Sequence, residues 1–361
     1  MIPAYRQIIN DISEKIKSGY YKPGEKLPSE SKLTEEFSTS RITVTRALKE
    51  LELTEIIYKV KGKGSFVSEI SIVRNKIISL IIPHKANFFS GGQQYIRSVY
   101  KYCKKAGYLC SVHYSEQSST REREILEELM NHNIAGVILY PINSRNIDSI
   151  SQLLISGCPI ILLDRKLEEI EIPVVESDNL TGAYNAVQYM ISMGHKRIAF
   201  IGELDSYSAK ERYKGYCRAL YDNKIAIDRD IVISKYSDVY QQDKQHILNQ
   251  ENAAVIVERI SNGINKITSL FCISDYVAFR ISEALQNKGI VIPDDISICG
   301  FDNLHYFPER DLNIATVEQD FNKIGKISVE LLIKLINKES EILNDNIIET
   351  KLIKGKTIKK V

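Results

Sequence analysis

The chain has 361 residues, 43% of them hydrophobic and 26% charged, with a formal net charge of +2. At about 100–200 residues per domain, that length and balance imply two or three domains with real cores and exclude a long disordered chain. No apolar run approaches the ~20 residues that span a bilayer, and the N-terminus runs straight into an amphipathic pattern without an apolar signal core, so a soluble cytoplasmic protein is expected. The six cysteines are scattered, with no Cys-x-x-Cys pair, and read as small buried hydrophobes; zinc-dependent DNA binding and thiol redox chemistry are disfavoured. Residues 1–75 carry 13 Lys+Arg against 10 Asp+Glu, a modest basic bias at one end.

In chain order, Tyr5 to Ser18 sets Ile8, Ile9, Ile12 and Ile16 on one helical face, and Gly19 supplies a stop. Lys22 to Glu25 is a turn. Ser29 is an N-cap for a short helix through Phe37, and Ser38 to Ser40 caps another helix with the apolar stripe Val44, Ala47, Leu48 and Leu51. Ile56 to Val60, Lys61-Gly62-Lys63-Gly64 and Ser65 to Val67 then read as strand, Gly-rich turn and strand. Three helices followed by a hairpin make a winged helix-turn-helix.

Beyond a seam near Ser68 to Asn75 the regime is α/β. Strands are predicted at 77–83, 108–113, 136–140, 159–163, 173–176, 197–202, 253–257, 270–273 and 296–300. Amphipathic helices are predicted at 94–106, 120–132, 181–193, 210–222, 277–289 and 323–337. Such alternation builds parallel sheets whose ligands sit beyond the carboxyl ends of the strands, and the length calls for two lobes with a cleft. The expected organisation is a winged helix-turn-helix over 1–68, a linker over 69–75, and a two-lobed sensing and dimerisation domain over 76–361.

A helix entering the major groove needs polar or cationic groups on its outer face near its N-terminus. Ser40, Arg41, Thr43 and Thr45 meet that need, with Arg41 suited to a bidentate contact with guanine. Lys59, Lys61 and Lys63, set around Gly62 and Gly64, form a wing tip that can approach a phosphate closely.

At these residues the chain resembles the GntR family of bacterial transcription regulators. The stretch Tyr5-Arg6-Gln7-Ile8, then Lys22 to Glu30, then Ser40-Arg41-x-Thr43-Val44, then Gly62 to Val67 follows the family in order and spacing. The resemblance implies operator contacts from Ser40, Arg41 and Gly64. Two departures stand out: Thr45 occupies a position where the family usually carries Arg, shifting the cation to Arg46, and Ile56 replaces a usual Gly before the wing. One residue is about 100° of helix rotation, so Arg46 does not simply replace the missing cation.

In the second region, polar groups gather at predicted strand ends: His84, Asn87, Phe88 and Phe89; Asp164 and Arg165; the loop from Gly202 to Arg212; and Gly300 to Asn303. From about Lys76 to Ile342 this region resembles the effector domain of the lactose and galactose repressors, a relative of periplasmic sugar-binding proteins. The motifs that carry the likeness include Leu163-Asp164-Arg165, Asp178-Asn179-x-x-Gly182-Ala183, Gly194 to Gly202, Arg212-Tyr213-Lys214-Gly215-Tyr216, Pro293 to Ile298 and Gly300-Phe301-Asp302-Asn303. It implies effector contacts from Asp164, Ser208, Arg212, Ser274 or Asp275, and Asp302, with Phe89 and Tyr236 as stacking groups. Ser274 stands where the family commonly has Asn. His195, in a turn after a helix, is expected to serve structure.

A GntR-type reader joined to this effector type resembles the arabinose repressors. The expectation is a homodimeric repressor that binds double-stranded operator DNA and releases it when a monosaccharide such as L-arabinose fills the cleft. The alternatives are a sensor of a purine or a phosphorylated sugar acting as co-repressor, and an enzyme on an α/β scaffold. No nucleophile elbow, phosphate loop, dinucleotide motif or metal-ligand spacing is present, so no catalytic residue, metal or cofactor is expected, and no membrane partner.

Overall fold

The computed structural model describes residues 3–68, 76–83, 91–235, 248, 250–262, 267–304, 313–339 and 345–361. The expected linker 69–75, the cluster His84 to Phe89 and Tyr236 lie outside these residues.

At the N-terminus, α1 (Ala4–Lys17), α2 (Glu30–Glu36) and α3 (Arg41–Leu53) precede an antiparallel hairpin of β1 (Ile57–Val60) and β2 (Gly64–Val67). Both predicted serine caps form: Ser29 accepts from the Lys32 amide and Ser40 from the Thr43 amide, each at 3.3 Å. The buried stripe is the one the 3.6-residue period selects, Ile8, Ile12 and Ile16 against Val44, Ala47, Leu48 and Leu51, closed by Ile57 and Val67 of the hairpin. Gly64 has φ +111°, in the left-handed region that favours glycine, and only the flexible end of the Lys26 side chain lies near where a Cβ would stand, so the backbone conformation is what asks for glycine.

The rest of the chain forms two parallel sheets. The first lobe orders its strands β13-β7-β6-β5-β3-β4, from β3 (Ile77–Ile82), β4 (Leu109–Tyr114), β5 (Gly136–Leu139), β6 (Ile160–Leu163), β7 (Val174–Ser177) and β13 (Asp345–Ile348). The second orders β11-β10-β8-β9, from β8 (Ile198–Ile201), β9 (Val232–Ile233), β10 (Ser269–Cys272) and β11 (Ser297–Cys299). Residues alternate between two apolar layers, as a sheet covered on both faces requires. On β6, Ile161 and Leu163 join one layer while Ile160 and Leu162 join the other. On β10, Leu270 and Cys272 face one layer and Phe271 its opposite.

Helices α4 (Gly92–Lys105), α5 (Ser119–Met130), α6 (Ile147–Ile155) and α11 (Phe321–Ile336) accompany the first sheet. Helices α7 (Asn179–Ser192), α8 (Tyr207–Asp222), α9 (Gln250–Asn262) and α10 (Asp275–Asn287) accompany the second. The strand expected at 253–257 is instead part of α9. Ala253, Ile256, Val257 and Ile260 are buried while Val255 is 38% exposed, which is a helical period rather than a continuous buried strand.

Three segments pass between the lobes: Ser177 to Asn179; Gln319 to Phe321, after β12 (Thr316–Glu318); and Ile348 to β14 (Lys351–Ile353), which pairs antiparallel with β12. They are tied together. Asp178 N donates to Ile348 O at 2.8 Å, and Ser177 Oγ donates to Gln319 Oε1 at 2.6 Å.

Candidate functional site

The outer face of α3 presents Arg41, Ile42, Thr45, Arg46 and Lys49, all exposed, while Val44, Ala47 and Leu48 are buried. Ser40 and Thr43 are partly engaged with each other: their hydroxyls stand 2.8 Å apart, and Ser40 caps the helix. Thr43 is half-buried, so it turns toward the cap more than the expected outward placement had it. Arg41 Nε donates to Glu30 Oε2 at 3.3 Å, and Lys59 Nζ of the wing donates to Glu30 Oε1 at 3.2 Å. The Lys59 hydrogen bond, with Arg41 adding to it against partial desolvation, holds the Glu30 carboxyl below the usual range. Glu30 therefore links recognition helix and wing, a role the sequence reading missed. The Arg46 guanidinium lies 4.0 Å from the centre of the Tyr5 ring and its Nε donates to Glu50 at 3.3 Å, so this cation is drawn toward α1. Lys61 and Lys63 are exposed at the wing tip.

The second constellation lies where the carboxyl ends of the two sheets meet. From the first lobe, Asp164 ends β6 with φ +65° and is 3% exposed; Tyr95 Oη donates to its Oδ1 at 2.7 Å. Burial, then the Asp164 charge, pushes the Tyr95 hydroxyl well above its ordinary value, so it remains a donor. Beside it, Arg165 Nη1 donates to the Pro141 and Ile142 carbonyls at 3.3 and 3.1 Å, with its guanidinium 4.9 Å from the Tyr140 ring centre.

From the second lobe, Arg212 on α8 is 7% exposed. Its Nε donates to Asn179 Oδ1 at 2.8 Å, its Nη1 to the Ile273 carbonyl at 2.7 Å, and Nη1 also lies 3.1 Å from Asp302 Oδ1. The guanidinium stacks 3.7 Å from the Phe301 ring centre. Asp302, at φ +114°, also receives Gln319 Nε2 on Oδ1 at 2.6 Å. Burial pushes its carboxyl up to about 6; Arg212 opposes that rise and the charge of Asp164 adds to it. The charge of Asp164, from the first lobe, thus reaches Asp302 on the second.

Of the remaining expected effector groups, Phe89 and Tyr236 lie outside the described residues, and the others make contacts within the protein. Asp275 is buried with both oxygens engaged, Oδ1 by Thr316 Oγ1 at 2.6 Å and Oδ2 by the Leu304 amide at 2.8 Å. Its neighbour Gly300 has no room for a Cβ, which would collide with that carboxylate. Ser274 caps α10 by accepting from Val277 N at 3.3 Å. Ser208 stands 3.4 Å from Ser206, the cap of α8. Arg212 and Asp302 are in direct contact, the charge of Asp164 reaches Asp302, and that of Asp302 reaches Asp275; Asp275 has its oxygens engaged by Thr316 and Leu304, and Ser274 caps α10. Gln319 and Tyr95 are the groups sequence reasoning missed; Gln319 begins one lobe-crossing segment and is bonded to another through Ser177, a placement visible only once the topology is known. His195, 2% exposed, accepts or donates at Nδ1 to Thr268 Oγ1 at 2.9 Å within the second lobe, a structural position.

Comparison with known proteins gives the same two parts. Residues 4–67 match the family described as bacterial regulatory proteins, gntR family, and residues 187–358 match the periplasmic binding protein-like domain. The fold and these two matches make the chain a transcriptional regulator in which a GntR-type winged helix is joined to a LacI-type, periplasmic-binding-protein-like domain. The chain is similar to the arabinose metabolism transcriptional repressor of Geobacillus stearothermophilus, 27% identical over 376 residues, covering 100% of this chain and 99% of the relative. A repressor of the same description from Halalkalibacterium halodurans is 23% identical over 349 residues, covering 93% of this chain and 90% of its own length. Among solved structures, a periplasmic binding protein/LacI transcriptional regulator from Alkaliphilus metalliredigens, complexed with D-xylulofuranose, is 26% identical with a TM-score of 0.63, over 78% of this chain and 99% of the other.

Proposed function

We propose that the protein is a cytoplasmic, homodimeric repressor of sugar-utilisation genes that leaves its operator when a neutral monosaccharide such as L-arabinose closes the cleft. The observation that carries this reading is the buried Arg212 guanidinium 3.1 Å from Asp302 Oδ1 in one lobe, with buried Asp164 ending β6 of the other lobe and its charge reaching Asp302. Two carboxylates in a shared low-dielectric site are stabilised by hydroxyl donors from a bridging polyol, whereas an anion adds a further negative charge. Arg212 has Nε and Nη1 engaged by the protein, which leaves Nη2 and argues for one hydroxyl rather than the two-point grip a carboxylate or phosphate needs. A neutral sugar is therefore favoured over a phosphorylated one, and the names of the two arabinose metabolism repressors that match nearly the whole chain agree with a sugar-metabolism role.

At the other end, Arg41, Thr45, Lys61, Lys63 and Gly64 meet the operator, Ser40 and Thr43 set the helix start against a phosphate, and Arg46 acts from the side of α1. A dimer is required because one head reads a half-site. Closing the cleft changes how the lobes sit and therefore how the paired heads are presented. Fluorescence anisotropy of a labelled operator with the full chain, titrated with a panel of neutral and phosphorylated sugars, tests the reading. Release by a neutral monosaccharide alone supports it, and release only by a phosphorylated sugar or a purine overturns it.

A further inference from the structure

We propose that Ile42 reads the methyl group of a thymine in each operator half-site. This rests on the assignment of α3 as the helix that enters the major groove. Ile42 is 82% exposed in the first turn of that helix, on the face opposite Val44, Ala47, Leu48 and Leu51. It contributes nothing to the apolar core of the head, and isoleucine is only a middling helix former. A lone exposed aliphatic group is ordinary on a protein surface, but this one is framed by DNA-facing polar groups. Arg41 precedes it, with its side chain 78% exposed, and Thr45 lies one turn further along the same exposed face.

The first turn of a recognition helix is the part that reaches base edges, and thymine is the only base that offers an apolar group there, its C5-methyl. A branched aliphatic side chain held on a helix has few rotamers, so it presents a fixed apolar surface at little entropic cost. Arg41 and Ile42 together then specify a cation-read base and, within a base pair or two, a thymine.

The test uses the full chain and a duplex that it enriches from a random-sequence pool. Each dT of that duplex is replaced singly by dU, which removes only the methyl group, and Kd is measured by anisotropy for the wild type, Ile42→Ala and Ile42→Val. The expected result is one dT per half-site whose replacement weakens wild-type binding roughly fourfold, the value of about one buried methyl group. The same replacement leaves Ile42→Ala unchanged, and Ile42→Val retains the effect. The proposal is overturned if no dT→dU change weakens the wild type, or if Ile42→Ala loses as much as the wild type. Failure to enrich any duplex overturns the DNA-reading assignment itself, a different and separately visible outcome.

Discussion

Arg212 stands with Nη1 3.1 Å from Asp302 Oδ1, and Gln319, at the start of one of the segments that join the lobes, donates to that same oxygen. Gln319 in turn accepts from Ser177 on the first lobe at 2.6 Å. The carboxylate that is to hold the effector is therefore in direct hydrogen-bonded connection with the hinge. A ligand that draws on Asp302 alters the partners of Gln319, which is a physical route from occupancy to lobe placement.

Removing one member of this buried pair strands the other. Arg212→Ala leaves Asp302 near Asp164 without its cation and is expected to lower unfolding free energy by about 3–5 kcal/mol in urea titration. Arg212→Lys keeps the charge but loses the fork and the stack on Phe301, and should fall between the two. A loss below about 1 kcal/mol for Arg212→Ala would show that the pair is not structurally engaged.

The Asp302 carboxyl, pushed up to about 6, makes a signed prediction about pH. The folded chain holds this proton more tightly than the unfolded chain, whose carboxyl titrates near 4, so the associated stability is full below about pH 4. It is lost as pH rises through about 6. The stability of the wild type relative to Asp302→Asn should fall by on the order of 2–3 kcal/mol between pH 4 and 7, read from urea titrations at constant salt. A flat or rising difference contradicts the assignment.

Glu30 gathers Arg41 and Lys59 at the DNA-facing surface. Glu30→Gln removes a negative charge that DNA binding must overcome and frees both cations. Affinity for an unrelated duplex should rise by roughly three- to tenfold at low salt, with a steeper salt dependence, so that the margin between operator and unrelated DNA narrows. Unchanged binding to unrelated DNA would mean that the triad is not near the phosphates.

Gly215 allows α7 and α8 to approach. A Cβ there would run into the Leu180 carbonyl and stand 2.9 Å from both Ala183 Cβ and Tyr184 N. In an open helix Gly→Ala gains up to ~1 kcal/mol, yet here the obstacle is backbone. Gly215→Ala should therefore be destabilising by about 1–3 kcal/mol. A raised urea midpoint would contradict this packing.

The head was almost wholly legible because each of its signals is local: Ser29 and Ser40 cap within three residues, and the stripe from Val44 to Leu51 declares its face. In the α/β region the buried strands were read from short apolar runs, and the same reading failed at Ala253 to Val257, where a buried helical face produces a run of similar length. Strands such as β12 and β14 escaped because three residues paired with a distant partner carry no period of their own. Ser274 or Asp275 enters as an effector contact only through the resemblance to the lactose and galactose repressors. The internal contacts of Asp275 carry no sequence signal, since its two partners, Thr316 and Leu304, are 41 and 29 residues away. Ile42 carries no sequence signal of its own, because a single apolar residue on a polar helix face is ordinary.

The central claim, that a neutral polyol held between Asp164 and Asp302 loosens the grip on DNA, is tested most directly by the operator dissociation rate of the full chain with saturating monosaccharide. It should be measured for the wild type and for Asp164→Asn. The account predicts faster dissociation of the wild type by at least one neutral sugar, with the response largely lost in Asp164→Asn while sugar-free operator affinity is retained. Equal acceleration in both proteins, or none in the wild type with any neutral sugar, would contradict it.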